Sequence, residues 1–359
     1  MRKARSLLSL SESIPHDKSP TGIDKEPQNS PSDHQQSCVE TAFPREPQTS
    51  PSEEYVLLSS DSQLSSVGNI GAILCEPQTP TGIEYENFQY EPLDLQTTSI
   101  RLLRVLPNLS PDGLLQCSIQ HATIKAEYSC LSYVWGPPDN GSPILVNGRL
   151  RRVRQNLFDF LSIARIRGTS KLFWADALCI DQDNVSERSH QVQQMGGIFS
   201  NAVEVLAWFG NCEDTADYLA YVNSPDGWIQ KDAPLSRRDF HRAPYWKRAW
   251  ITQEILLAQQ VRLCAGHEET ELTRLRSIYQ WGMGSSLKAP VAVRNLIRDT
   301  RGIAKNKSLI QLVARYRYKK CHIKRDRIYS LLALCDEGSD LRVDYGASDG
   351  EVFSEALRS

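Results

Sequence analysis

The sequence predicts an α/β fold: a mostly parallel sheet with flanking helices, preceded by a low-complexity tail and followed by a helical C-terminal region. Three observations carry this reading. Strand-like and helix-like runs alternate from 128 to 210 with short connections, the pattern of parallel strands joined by crossover helices. The composition breaks near residue 88, and beyond 270 the apolar spacing is helical.

The tail explains the break. Residues 1–90 hold 9 of the 19 prolines, 15 serines and none of the 7 tryptophans, too little apolar surface to offset the entropy of ordering. They carry 6 Lys/Arg against 13 Asp/Glu, so an acidic tail precedes a mildly basic body. EPQNSPSD, EPQTSPSE and EPQTPTGI repeat from 26, 46 and 76 at irregular spacing without a stackable apolar pattern, which argues against a solenoid. The basic start, MRKARSLLSLS, fits both a presequence and a disordered tail. Residues 1–87 are therefore read as disordered.

The elements follow in order. SIRLLRVL (99–106) and LLQCSIQHA (114–122) flank a turn-rich link and read as a hairpin. YSCLSYVWG (128–136) is a buried strand, and ILVNGRLRRV is a tight hairpin around Asn147-Gly148. A helix with Val153, Leu157, Phe160, Leu161 and Ala164 on one face stops at Gly168. KLFWADALCID (171–181) is a strand ending in acids. Asn184 to Glu187 resembles a capping box, opening a helix with Val192, Met195, Ile198 and Phe199 inward. VEVLAWFG (203–210) and VRLCAG (261–266) are further strands, with a helix at 213–222 between them.

YWKRAWITQEILLA (245–258) raises a problem. Trp246, Trp250 and Glu254 recur every four residues, so a single helix would stack two indoles and a carboxylate on one face. Either the acid faces a ligand cleft, or it pairs with Arg248 or Arg188 in the interior. The indoles are read correspondingly as cleft wall or as core.

Ligands in parallel sheets bind beyond the carboxyl ends of strands. Three such ends are Trp135-Gly136, Asp176 through Asp181, and Trp208-Phe209-Gly210. Each has a bland alternative: Asp176 capping the following turn, Glu187 capping its helix, Gly136 forming only a turn. Nine scattered cysteines without a CxxC pair suggest reduced thiols in a cytoplasmic or nuclear protein, and no zinc site is expected. No stretch is apolar enough for a membrane span. The basic cluster Arg315 to Arg327 lacks a nucleic-acid reader motif and is read as a solvated helix face.

Several runs belong together: YSCLSYVWG (128–136), WADALCIDQ (174–182), ERSHQVQQMGGIF (187–199), WKRAWITQE (246–254), RDRIYSLL (325–332), then VDY and EVF near the end. In this order they resemble the fungal heterokaryon-incompatibility (HET) domain over about 88–359. Ala175 stands where the family has isoleucine, and the chain ends inside a helix-like run, as in a short or truncated form. The division implied is a tail (1–87), a HET domain (88–268) and a helical extension (269–359).

The resemblance implies a role in non-self recognition and programmed cell death. It also implies a flavodoxin/TIR-like sheet, on which some TIR domains cleave NAD. Trp250 and Glu254 share the tryptophan-to-glutamate offset of plant TIR domains. NAD would then be substrate; no cofactor or metal is expected. Cleavage passes through an oxocarbenium-like state that a carboxylate stabilises, and nicotinamide leaves as a neutral ring without a general acid. On this reading Glu254 is catalytic and Trp250 an aromatic wall. Trp135 and Gly136 admit the ligand to the backbone, and Asp176 or Asp181 holds ribose hydroxyls. The competing expectation is a non-enzymatic module that self-associates and recruits an unidentified protein partner.

Overall fold

The computed structural model describes residues 84–138, 140–224, 234–281, 289–300, 302, 307–335, 338 and 340–358. The repeats of the tail, and Cys38 and Cys75, lie outside the described residues.

Among the described residues nine strands form one sheet in the order β5-β4-β2-β1-β6-β3-β7-β8-β9. They are β1 (Ser99–Val105), β2 (Leu115–Thr123), β3 (Ser129–Tyr133), β4 (Ser142–Val146), β5 (Arg149–Val153), β6 (Leu172–Trp174), β7 (Glu204–Trp208), β8 (Val261–Ala265) and β9 (Glu268–Glu271). The centre, β6-β3-β7-β8, is parallel. β1 joins it antiparallel to β6, β9 pairs antiparallel with β8, and β4 lies parallel to β2, so the whole sheet is mixed. The expected hairpins are present as β1–β2 and β4–β5. Asn147 and Gly148 turn the second with positive φ at both residues, the conformation that asparagine-glycine favours.

Twelve helices surround this sheet among the described residues: α1 (Gln155–Ile166), α2 (Asp176–Cys179), α3 (Val185–Gln193), α4 (Met195–Asn201), α5 (Glu213–Asn223), α6 (Ser236–Arg242), α7 (Ile251–Leu256), α8 (Leu272–Trp281), α9 (Val291–Asp299), α10 (Leu309–Arg315), α11 (Asp326–Tyr329) and α12 (Asp349–Ala356). β3 and β7 are buried along their whole length, as strands covered on both faces must be. Trp174, Trp208 and Trp246 are among the largest fully buried side chains.

Several local expectations change. Val153 belongs to β5, and α1 begins at Gln155. The helix opened by Asn184 breaks at Gln194 into α3 and α4; Gly196 lies so close to Ala333 that an added Cβ would come within 2.3 Å of the alanine Cβ. Glu187 is not the cap. Asn184 accepts the Glu187 N–H, while the Glu187 carboxylate binds Arg101 at 2.6 and 2.9 Å. The expected 268/269 boundary falls within β9 (Glu268–Glu271).

The largest change concerns the tryptophan stripe. Residues Pro244–Lys247 form a 3-10 turn, Arg248 is extended, and α7 starts only after Trp250. Trp246 therefore does not share a helix with Glu254. The break has a tertiary cause: Lys320 donates its N–H to Lys247 O (2.5 Å) and accepts the Ala249 N–H (2.8 Å). A strand-like contact with the C-terminal region thus replaces a helical turn, overriding local propensity.

Candidate functional site

From β3 the chain forms the β4–β5 hairpin and α1, enters β6 on one side of β3, then crosses to β7 on the other. The crossing direction reverses between β3 and β7, and α/β sheets bind ligands outside the carboxyl ends of strands near such a reversal. The carboxyl ends of β3 and β6 lie next to it. A cavity of about 670 Å³ opens there, within the roughly 300–1,000 Å³ usual for small-molecule sites. Its walls come from the ends of β3 and β6, from α3 and the segment before α7, and from residues 320–326 and Tyr345.

Trp135, Gly136, Asp176 and Trp250 line this cavity together. Gly136 has φ +80°, a conformation glycine adopts at little cost, and its carbonyl accepts from Arg154 at 2.7 Å. The Arg154 guanidinium sits 5.4 Å from the Trp135 ring centre. The Trp135 indole donates to both Asp176 oxygens, at 3.1 and 3.0 Å. Asp176 also accepts from the Ala177 N–H at 2.8 Å, so its turn-capping reading holds alongside its place in the cavity.

Burial pushes the Asp176 carboxyl up to about 6; Glu254 adds to the shift, against the opposing effects of Arg248 and Trp135. A carboxyl that changes charge near neutrality is suited to proton transfer.

Glu254 lies behind the cavity rather than on it. Its side chain is 3% exposed, and both oxygens accept from Arg248 at 3.3 Å. Ser132 donates to it as well, and the Tyr245 hydroxyl lies 2.7 Å from the Ser132 oxygen. The arginine alternative is thus what the geometry displays: Glu254 braces Arg248, and Arg248 reaches the cavity. Burial alone would depress the Arg248 guanidinium, but Glu254 and Asp176 outweigh it and hold it charged.

Asp181 does not line the cavity; its carboxylate accepts from the Asp183 N–H, and its neighbours Gln182 and Asp183 line the wall instead. The third strand end is also elsewhere. Trp208 is anchored to Asn156, and Phe209 packs on Phe240, Tyr245 and Trp246.

The C-terminal region supplies what sequence reasoning missed. Asp326, at the start of α11, lines the cavity and accepts from the Trp250 indole (3.1 Å) and the Tyr345 hydroxyl (2.7 Å). Burial raises its carboxyl above the usual range despite those two hydrogen bonds. Arg188 stacks 4.4 Å from the Tyr345 ring centre and faces the same space. Lys319, 3% exposed, donates to Trp246 O at 2.8 Å; burial lowers its amine to about 7, with Glu254 opposing. The usable signal was a charged RDR run leading into an apolar helix, whose aspartate needs a partner once folded.

A second cavity, about 270 Å³, lies beside α1. Its rim closes on itself: Glu204 bridges Lys171 and Arg262, and Glu269 bridges Arg262 and Arg167. Among the described residues no cluster of His, Cys, Asp and Glu could hold a metal, and no helix is long and apolar enough to cross a membrane.

Residues 128–254 match the family described as Heterokaryon incompatibility protein (HET), and this segment contributes the β3 and β6 ends and Arg248. This is a HET-domain protein. One relative, "Heterokaryon incompatibility protein 6, OR allele" of Neurospora crassa, is 30% identical over 381 aligned positions, covering 79% of this chain. The chain spans 55% of that relative's length. No solved structure matches it. The HET-matching segment stops short of Asp326 and Tyr345, so the cavity is completed from outside it.

Proposed function

We propose that this HET-domain protein is an effector of heterokaryon incompatibility and cell death that acts by hydrolysing NAD in the 670 Å³ cavity. The observation that carries the reading is Asp176, a carboxylate beyond the carboxyl end of β6, raised by burial to about 6 in a cavity that Arg248, Arg154 and Arg188 also line. The guanidinium groups would neutralise the diphosphate. The bond between the nicotinamide nitrogen and ribose C1′ breaks, its electron pair passing to the ring nitrogen. Asp176 faces the positive charge developing on the ribose, water adds at C1′, and Asp176 takes the released proton. Glu254 fixes Arg248 from behind; its role is positional.

The test is expression in fungal cells of the full chain and of Asp176→Asn, with growth and cellular NAD followed together. The expected outcome is arrest with NAD depletion for the wild type and neither for the variant. Arrest with steady NAD would instead favour a self-associating signalling module that recruits a partner.

A further inference from the structure

The cavity holds two aspartates with the same local device. Asp176 takes an indole N–H from Trp135, and Asp326 takes one from Trp250. The resemblance ends at the remaining contacts. Asp176 accepts both indole bonds and a backbone N–H on a turn of the sheet end. Asp326 has one partner on each oxygen, Trp250 on Oδ2 and Tyr345 on Oδ1. A carboxylate oxygen can accept two hydrogen bonds, so each oxygen of Asp326 retains one acceptor site.

Two fixed donors hold the carboxylate plane still. Trp250 belongs to the turn before α7; Tyr345 is tied by its N–H to the Ser189 hydroxyl (3.1 Å) and carries Arg188 on its ring face. A rigid carboxylate with one open acceptor site on each oxygen matches two adjacent hydroxyls, which donate side by side. Arginines on the same walls match an anionic group attached to that diol.

We propose that Asp326 is the diol-binding residue of this cavity, and that the ligand class it selects is a ribosyl diphosphate with free vicinal hydroxyls. This assignment rests on the NAD reading above for the reaction but not for the binding. It also makes the site composite: the HET-matching segment supplies Asp176 and Arg248, and the C-terminal region supplies the residue that reads the sugar.

The experiment measures binding of ADP-ribose and of its analogue lacking the 2′- and 3′-hydroxyls on the terminal ribose, by calorimetry, to the full chain and to Asp326→Asn. A second variant, Tyr345→Phe, loosens the carboxylate without removing it, and melting curves verify folding of each. The wild type is expected to prefer ADP-ribose at least tenfold, on the order of one charged hydrogen bond. Asp326→Asn is expected to lower that preference to within about threefold, and Tyr345→Phe to leave it intermediate. A preference unchanged in a folded Asp326→Asn overturns the assignment. If Asp326→Asn fails to fold, an unchanged preference in Tyr345→Phe overturns it in the same way, and a reduced one supports it. Diol preference without NAD turnover would sink the hydrolase reading and leave this one standing. Turnover with a preference indifferent to both variants would do the reverse. Absence of ADP-ribose binding to the wild type overturns both.

Discussion

The Arg101–Glu187 and Arg248–Glu254 pairs are chemically alike and differ in what the arginine faces. Arg101 and Glu187 are 1% and 3% exposed; Cys179 O and Glu91 O accept from the two terminal guanidinium nitrogens, the Asp181 N–H donates to Glu187, and Arg101 Nε is left without a hydrogen-bond partner. Tyr90 covers the guanidinium, its ring centre 4.7 Å away. That pair is a closed junction between β1, α3 and the chain before the sheet. In the other, Glu254 is equally buried, yet Arg248 is 19% exposed and borders the cavity. The difference separates an ion pair sealed inside the fold from one whose arginine borders a cavity.

Breaking the closed pair should have the larger effect on stability. Glu187→Gln leaves Arg101 charged and sealed, and a loss of about 3–5 kcal/mol is expected. Urea denaturation measures it, and a loss below about 1 kcal/mol would mean that water reaches the junction. Glu254→Gln should cost less, about 1–2 kcal/mol, because Arg248 keeps solvent access and its attraction to Asp176. Its larger consequence should be functional: ADP-ribose affinity reduced roughly tenfold or more as Arg248 loses its brace. Equal stability losses with unchanged binding would erase the distinction between the two pairs.

Much of the sheet was legible because its strands are short apolar runs bounded by strong turn chemistry. Asn147-Gly148 and Gly168 mark their turns without tertiary help. The mixed sheet edges were less legible, since pairing direction depends on where the chain goes next. Trp135, Gly136, Asp176 and Trp250, which line the cavity, stand out in the sequence because they sit at strand ends or in the tryptophan run. For Glu254 the sequence left two readings, a cleft-facing acid on one continuous helix from 245 to 258 or a pair with Arg248 or Arg188, and the pair with Arg248 forms. Lys320 interrupts that helix through Lys247 and Ala249, 73 and 71 positions before it, and no local period records such a contact. Asp326 was missed for the same reason: its partners, Trp250 and Tyr345, are 76 positions before it and 19 after it.

As the proposed reacting carboxylate of the cavity, Asp176 must act in its ionised form. Its ordinary value is 3.8 and its folded value about 6, so it is ionised at pH 7 and takes up its proton as the pH falls through 6. Nicotinamide release from NAD by the full chain, followed from pH 5 to 8 beside Asp176→Asn, tests this directly. The wild-type rate is expected to fall about tenfold per unit below roughly pH 6, and the variant to be folded, slow and flat across the range. A variant as fast as the wild type, or a wild-type rate indifferent to pH between 5 and 7, would contradict it.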